Sequence, residues 1–556
     1  MRSLFSATSL ARGPQRVYVH GTAMRSAVKF VGALLVFAQV SCSQILGLDD
    51  KSIRDADASS EEAIDQTPSD EPLGAACVRN SDCLRSLTDK GAPPGPLVCV
   101  PETGRCTPLL SEDCDTLTGD YKDDRAIVIA SLLSTTGAQA ATNLARQQSA
   151  ILAVEQINMA GGIPRGVPPV HRPLVMLSCD EVANLPRVAR HLIEELHVPA
   201  IVGPNTSQDT LDLSNQFSVR GGTLLMSPTA VASSIADLLD AGLTWTMVPS
   251  DVQRAPLMLQ QINQLEAQLK RERNKSVIKL GVLFRDDALG QGTRSALDTL
   301  TLNGRRLPDP ENLSTAVKLS PYRVGEVDQS ALVAEYVAFA PDIIVLAGTA
   351  EAVTQLLVPL ERSWGDQPRP HYVAIDSVKV PELLDAVASN DELRQRIRGT
   401  GVLPTAASKP VFDAFRLDFR VRYPLAAVTN AISGMGPAYD ATLAIAYAIA
   451  ANGQSPVTGA NIARGLARLA GGSPVELRST KILAAFQELA AGRAIEAVGT
   501  FGPLAWNASG SPLGGLIEIW CLGVAAGKPT YESAGLTFDV ASQQTRGAFT
   551  PCKSDL

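Results

Sequence analysis

The sequence predicts an α/β protein built on two doubly wound parallel sheets, and three observations carry that expectation. From Ala126 short apolar runs (AIVIASLL, LVMLS, AIVG, TLLMS) alternate with stretches of helical period, such as Leu185, Val188, Leu192 and Leu196. Strands alternating with helices are the pattern of βαβ units and a parallel sheet. A second series, IKLGVLF, DIIVLAG and HYVAID, begins near Val277, so the chain carries two such sheets. At 556 residues, 45% hydrophobic and 19% charged, it is long enough for two or three domains with a substantial core.

The N-terminus reads as an export signal. From Met24, a candidate start, Arg25 and Lys29 form a basic region and Phe30 to Val40 an apolar run. That run is too short for the roughly 20 residues of a spanning helix. Gln39-Val40-Ser41-Cys42 looks like a bacterial lipobox with a small residue before the cysteine, although Gln39 stands where Leu is usual. Lipidation of Cys42 at the end of a 1–42 signal segment is the expectation; ordinary cleavage leaving a free Cys42 is the alternative.

Residues 43–76 are rich in Asp, Glu, Ser and Ala and cannot bury enough apolar surface to order themselves, so they read as a disordered acidic linker. Of the net charge of −8, the stretch Asp49 to Glu71 holds −7, which leaves a nearly neutral body. Without a basic footprint, nucleic acid is excluded as a partner, and the membrane is reached only through the lipid anchor.

Residues 77–114 are expected to form a small cysteine-rich module that depends on its crosslinks. With Cys42 acylated, eight of the nine cysteines remain, an even number in an exported chain. Cys114 precedes the first lobe strand and Cys179 ends the second, so these two can meet at a sheet edge. Cys521 and Cys552 would pin the C-terminal tail, leaving two bonds among Cys77, Cys83, Cys99 and Cys106. Zinc is the competing reading of those four, but the spacings within each pair are wider than structural zinc sites use. No metal and no cofactor are expected.

Ala150 to Gly166 reads as an amphipathic helix with Ile151, Val154 and Ile157 on one face, ended by Gly161-Gly162 where positive φ is needed. The succession of segments beyond it is more specific: PLVMLSCD, VPAIVGPNTS, GGTLLMSPTA, TWTMVPSD, VIKLGVLFRDDALGQG, PDIIVLAG, GPAYDATLAIAYAI and FGPLAWNASGSPLGGLIEIW, in that order. Together these resemble the type I periplasmic binding proteins, the family of the leucine/isoleucine/valine-binding protein, over roughly 125–522.

The resemblance implies two doubly wound lobes joined by three hinge crossovers, near Val248 to Asp251, Arg398 to Pro404 and Phe501 to Trp506. Within 121–522, lobe one would be about 121–248 and 404–500 and lobe two about 252–398 and 501–522, followed by a tail, 523–556. It also implies a solute-binding protein of the periplasm or cell envelope that closes on an amino acid or amide and hands it to an ABC-type permease. A sensor with a signalling partner would use the same closure, and an envelope protein that has lost its ligand is a third possibility.

Ligands of open α/β sheets bind beyond the carboxyl ends of the strands. Ser207 stands where family members place a serine hydroxyl on the ligand's α-carboxylate, beside Thr206, and Thr229 and Ala230 would add a hydroxyl and an N–H. Capping of the next helix is the competing role for Ser207 and Thr206. Asp376 stands where the family commonly pairs an acid with the ligand's ammonium; a helix cap before Pro381 is the alternative. Leu289 replaces a frequent Tyr and Val231 a frequent Thr, so an amino-acid-like ligand is expected but leucine is not specified. Enzyme motifs are missing: there is no G-x-S-x-G, H-E-x-x-H or phosphate-binding loop, and the five histidines form no cluster in sequence. His191 and His197 are expected on a helix surface.

Overall fold

A computed structural model describes residues 76–86, 95–137, 139–166, 168–182, 184–326, 328–426 and 433–552. The signal segment, Cys42 and the acidic linker up to residue 75 lie outside the described residues. Among those described, no helix is long and apolar enough to cross a membrane.

The first sheet holds β1 (Cys114–Thr118), β2 (Ile127–Leu133), β3 (Leu174–Asp180), β4 (Ala200–Val202), β5 (Leu224–Ser227) and β6 (Thr244–Thr246), in the order β6-β5-β4-β2-β3-β1. All neighbours are parallel except β1, which runs antiparallel to β3. The second holds β7 (Leu280–Arg285), β8 (Val317–Tyr322), β9 (Ile343–Ala347), β10 (His371–Ala374), β11 (Ile397–Leu403), β12 (Leu516–Ala525), β13 (Lys528–Asp539) and β14 (Gln544–Arg546). Its order is β8-β7-β9-β10-β11-β12-β13-β14, parallel as far as β11 and antiparallel beyond. The inner parallel strands β3, β5 and β9 are apolar runs buried along nearly their whole length, as strands covered on both faces must be.

The long helix α1 (Ala140–Met159) lays Ala150, Val154 and Ile157 on the first sheet and ends where Gly161 and Gly162 take φ of 101° and 82°. α2 (Ser207–Leu213) connects β4 to β5 within the first lobe, and α3 (Asp251–Glu272) opens the second lobe with a capping box between Ser250 and Gln253. After β7 comes α4 (Ala288–Ala296). The chain then returns to pack α5 (Met435–Ala451), buried from Met435 to Ala450, against α1 in the first core. It passes between the sheets three times, at 247–250, 404–408 and 499–515.

Among the described residues there are four disulfides: Cys77–Cys99, Cys83–Cys106, Cys114–Cys179 and Cys521–Cys552. The sulfurs of Cys77, Cys83 and Cys99 lie within 4.8 Å of one another, but oxidised sulfur offers zinc no thiolate. Two local expectations need correction. His191 is buried, not on the surface: its Nε2 meets the Leu109 carbonyl at 3.0 Å and its Nδ1 meets Glu195 at 2.8 Å. The chain beyond Leu522 is not a tail, because β13 and β14 extend the second sheet. The cysteine-rich segment is also tied to the lobe: Asn80 Nδ2 donates to the Tyr121 and Asp123 carbonyls, and Val98, Val100 and Leu109 join a core cluster with Leu132 and Leu177.

Candidate functional site

Both sheets reverse their winding at an inner strand, β2 with β4 in the first and β7 with β9 in the second, which opens a crevice at the carboxyl ends. The crevices face each other across one cleft of about 590 Å³, the size of a small-molecule site. From the first lobe come Ser134, Thr136, Asn143, Arg146, Asn205, Thr206, Ser207, Thr229 and Val231. From the second come Asp287, Leu289, Thr349, Glu351, Asp376 and Lys379, with Asp251 and Arg254 from the start of α3.

Of the residues singled out in the sequence, all but Ala230 line this cleft. Ser207 opens α2, and its Oγ accepts the N–H groups of Val231 and Ala232 at 3.0 and 3.1 Å, tying two loops together; its own hydrogen is the group left to give. Thr206 is the N-cap, accepting from the Asp209 N–H at 3.0 Å. The Thr229 hydroxyl donates to the Asn205 carbonyl at 2.5 Å and the Ala230 N–H to Ser227 Oγ at 3.0 Å, so both donors are engaged inside the lobe. Asp376 follows β10 and caps no helix: the helix at Pro381 starts from Val380 without a side-chain cap. Its Oδ2 instead accepts from Arg254 Nη1 at 3.4 Å and from Ser433 Oγ at 3.1 Å.

Sequence reasoning missed Arg146, Arg254 and Glu181. Nε of Arg146 donates to the Ser433 carbonyl at 2.9 Å, and Nη1 to Asn143 Oδ1 and Asn205 Oδ1, both at 2.8 Å. Gly434, at φ 89°, lets the chain pass this close; a Cβ there would come within 2.5 Å of Arg146 Nε. Burial pulls the Arg146 guanidinium down to about 10, with Asp376 and Glu181 opposing. Burial, with Asp209 adding to it, pushes Glu181 up to about 8, although the Ser134 hydroxyl and the Asn205 N–H both donate to it. Burial likewise lowers Arg254 and raises Asp251. Asp251 bridges the lobes: its N–H reaches the Val231 carbonyl at 2.8 Å and its Oδ1 accepts the Ser233 N–H at 3.2 Å. A signal for both arginines was present, since each falls in register with an apolar stripe: Arg146 with Ala150, Ala153 and Ile157, and Arg254 with Met258, Ile262 and Leu265.

Two α/β lobes facing each other over a cleft at their strand ends, with a few charged and polar groups set in a largely apolar lining, form a receptor for a small molecule. The chain belongs to the periplasmic binding proteins, whose family model matches residues 126–470. No curated protein matches the sequence. Among solved structures it is similar to a solute-binding protein of an ABC transporter from R. palustris in complex with 4-hydroxybenzoate. That match is 13% identical with a TM-score of 0.54, over 77% of this chain and 98% of that one. It is also similar to the branched-chain amino acid transporter substrate binding protein LivJ from Streptococcus pneumoniae in complex with isoleucine, at 18% identity and TM-score 0.50 over 73% and 99%. A leucine binding protein LivK from Thermotoga maritima matches at 17% and 0.50 over 73% and 97%. At these identities the likeness bears on the fold alone.

Proposed function

We propose that the chain is the solute receptor of an ABC-type permease, anchored outside the cytoplasm by lipid on Cys42, and that its ligand is an amino acid or a similarly small molecule of that polarity. The observation that carries this reading is the cleft itself: it is of small-molecule size, and charged groups of both signs, Arg146, Arg254 and Asp376, line it. Closure of the lobes on the ligand is a property of the family. The contacts of Asp251 with the Val231 to Ser233 loop and of Ser433 with Asp376 are those a closed form would keep.

A thermal-shift screen of the full chain against amino acids, amides and aromatic acids tests this. A ligand at a hundred times its dissociation constant adds about 2.7 kcal/mol by mass action, a readily visible shift. Asp376→Asn is expected to weaken zwitterion binding by about 10–100-fold, the worth of a charge-assisted hydrogen bond. No shift with any solute at millimolar concentration rules the receptor reading out. The anchor has its own measurement: the mature N-terminal peptide should begin at Cys42 with acyl mass, and any unacylated N-terminus removes that part of the proposal.

A further inference from the structure

We infer that Arg146 is the anchor for a carboxylate on the ligand, so that the cleft takes acids in preference to the neutral amides of the same skeleton. The inference rests on the receptor reading above and narrows its ligand. The three acceptors that hold the guanidinium, the Ser433 carbonyl and the side-chain oxygens of Asn143 and Asn205, are all neutral. Among the described residues no carboxylate lies within ion-pairing distance of Arg146, and no hydrogen bond engages its Nη2.

The two acids that share its field are otherwise occupied. Asp376 already receives Arg254 and Ser433. Glu181 receives Ser134 and Asn205 and, pushed up to about 8, carries a proton at neutral pH. The positive charge on Arg146 is therefore fixed in position, partly desolvated and, among the described residues, felt by Asp376 only at a distance and met by no direct carboxylate contact.

A carboxylate entering the cleft supplies the missing counter-charge and an acceptor for Nη2, whereas an amide supplies only the acceptor. Because the guanidinium is already held from three sides, little ordering is lost when the anion arrives. The Ser207 hydroxyl is the neighbouring donor that could share the same carboxylate.

The experiment is calorimetric titration of the full chain with two matched pairs, benzoate against benzamide and leucine against leucinamide, in wild type, Arg146→Gln and Arg146→Lys. In whichever pair binds, the acid is expected to bind the wild type at least tenfold more tightly than the amide. Arg146→Gln should remove that preference and Arg146→Lys restore part of it. Wild-type affinity for the acid should also fall as pH rises through about 8, where Glu181 ionises facing Arg146 from α1, Asp209 from α2 and Asp180 from β3. Glu181→Gln should flatten that fall.

An amide that binds wild type as tightly as its acid, solutes without a carboxylate as the sole binders, or an intact preference in Arg146→Gln overturns the assignment and leaves the receptor reading standing. If Arg146→Gln does not fold, the wild-type acid-to-amide ratio and its pH course still decide. Absence of any bound solute overturns the receptor reading instead.

Discussion

Glu361→Ala is expected to destabilise the second lobe by about 3–5 kcal/mol, the cost of leaving a buried charge without its partner. Glu361 is 8% exposed and accepts Arg396 Nη1 and Nη2 at 2.9 and 2.6 Å, Arg369 Nη1 at 2.9 Å and the Tyr372 hydroxyl at 2.7 Å. Without the carboxylate, Arg396, itself 8% exposed, keeps its charge and is left with only the solvent-exposed Glu392, 3.7 Å from its Nε. Burial pushes the Glu361 carboxyl up, but Arg396, the Tyr372 hydroxyl and Arg369 together outweigh it and hold the carboxyl below the ordinary value of 4.5. A carboxylate depressed in the folded state contributes stability above its unfolded value and loses it as pH falls through the folded one. Wild type should therefore weaken on acidification below about 4.5, and the variant should lack this component. Urea denaturation checks both, and an unchanged midpoint would mean that the cluster contributes nothing.

The double variant Cys114→Ser, Cys179→Ser should lose about 4 kcal/mol by the chain-entropy estimate for a closed loop of this length. The bond joins residues 65 apart in sequence and fastens the antiparallel edge strand β1 to β3. Both cysteines are fully buried, so polar serines add a desolvation cost in the same direction. The expected result is a lower urea midpoint for the oxidised variant than for oxidised wild type, together with the loss of the 114–179 crosslinked peptide from a non-reducing map. Equal midpoints would show that the sheet holds β1 without the crosslink.

The two-sheet architecture was legible because buried parallel strands have to be short, apolar and separated by helices, and IVIASLL, LVMLSCD and IIVLA are such strands. The loops at strand ends were legible for the same reason: Thr206, Ser207 and Asp376 follow strands directly and line the cleft. Arg146 and Arg254 were passed over, although each is in register with an apolar stripe, because a long cation on a helix ordinarily reads as solvated surface. Arg146 is held inward by the Ser433 carbonyl just before α5 and by Asn205 just after β4, partners distant in sequence. The role of the Thr229 hydroxyl was illegible too, because its partner, Asn205, is distant in sequence and comes near only through the adjacency of β4 and β5. His191 was misjudged because the segment before Cys114 covers the helix face that the sequence left open.

The ends of the two sheets have a consequence for a protein that works outside the cytoplasm. An unpaired strand edge offers its N–H and C=O groups to any other chain and is a template for aggregation. In the first sheet, β1 is covalently stapled at one edge, and at the other β6 is only three residues long with its Thr246 N–H already given to the Gly510 carbonyl. In the second, β8 carries Pro321, which has no N–H to offer, and β14 is three exposed polar residues, Gln544 to Arg546. Three of the four edges are thus very short, interrupted or occupied, and the fourth, β1, is only five residues long and cannot peel away from β3 while its crosslink is intact. Strand-by-strand growth finds little edge on either sheet to build upon.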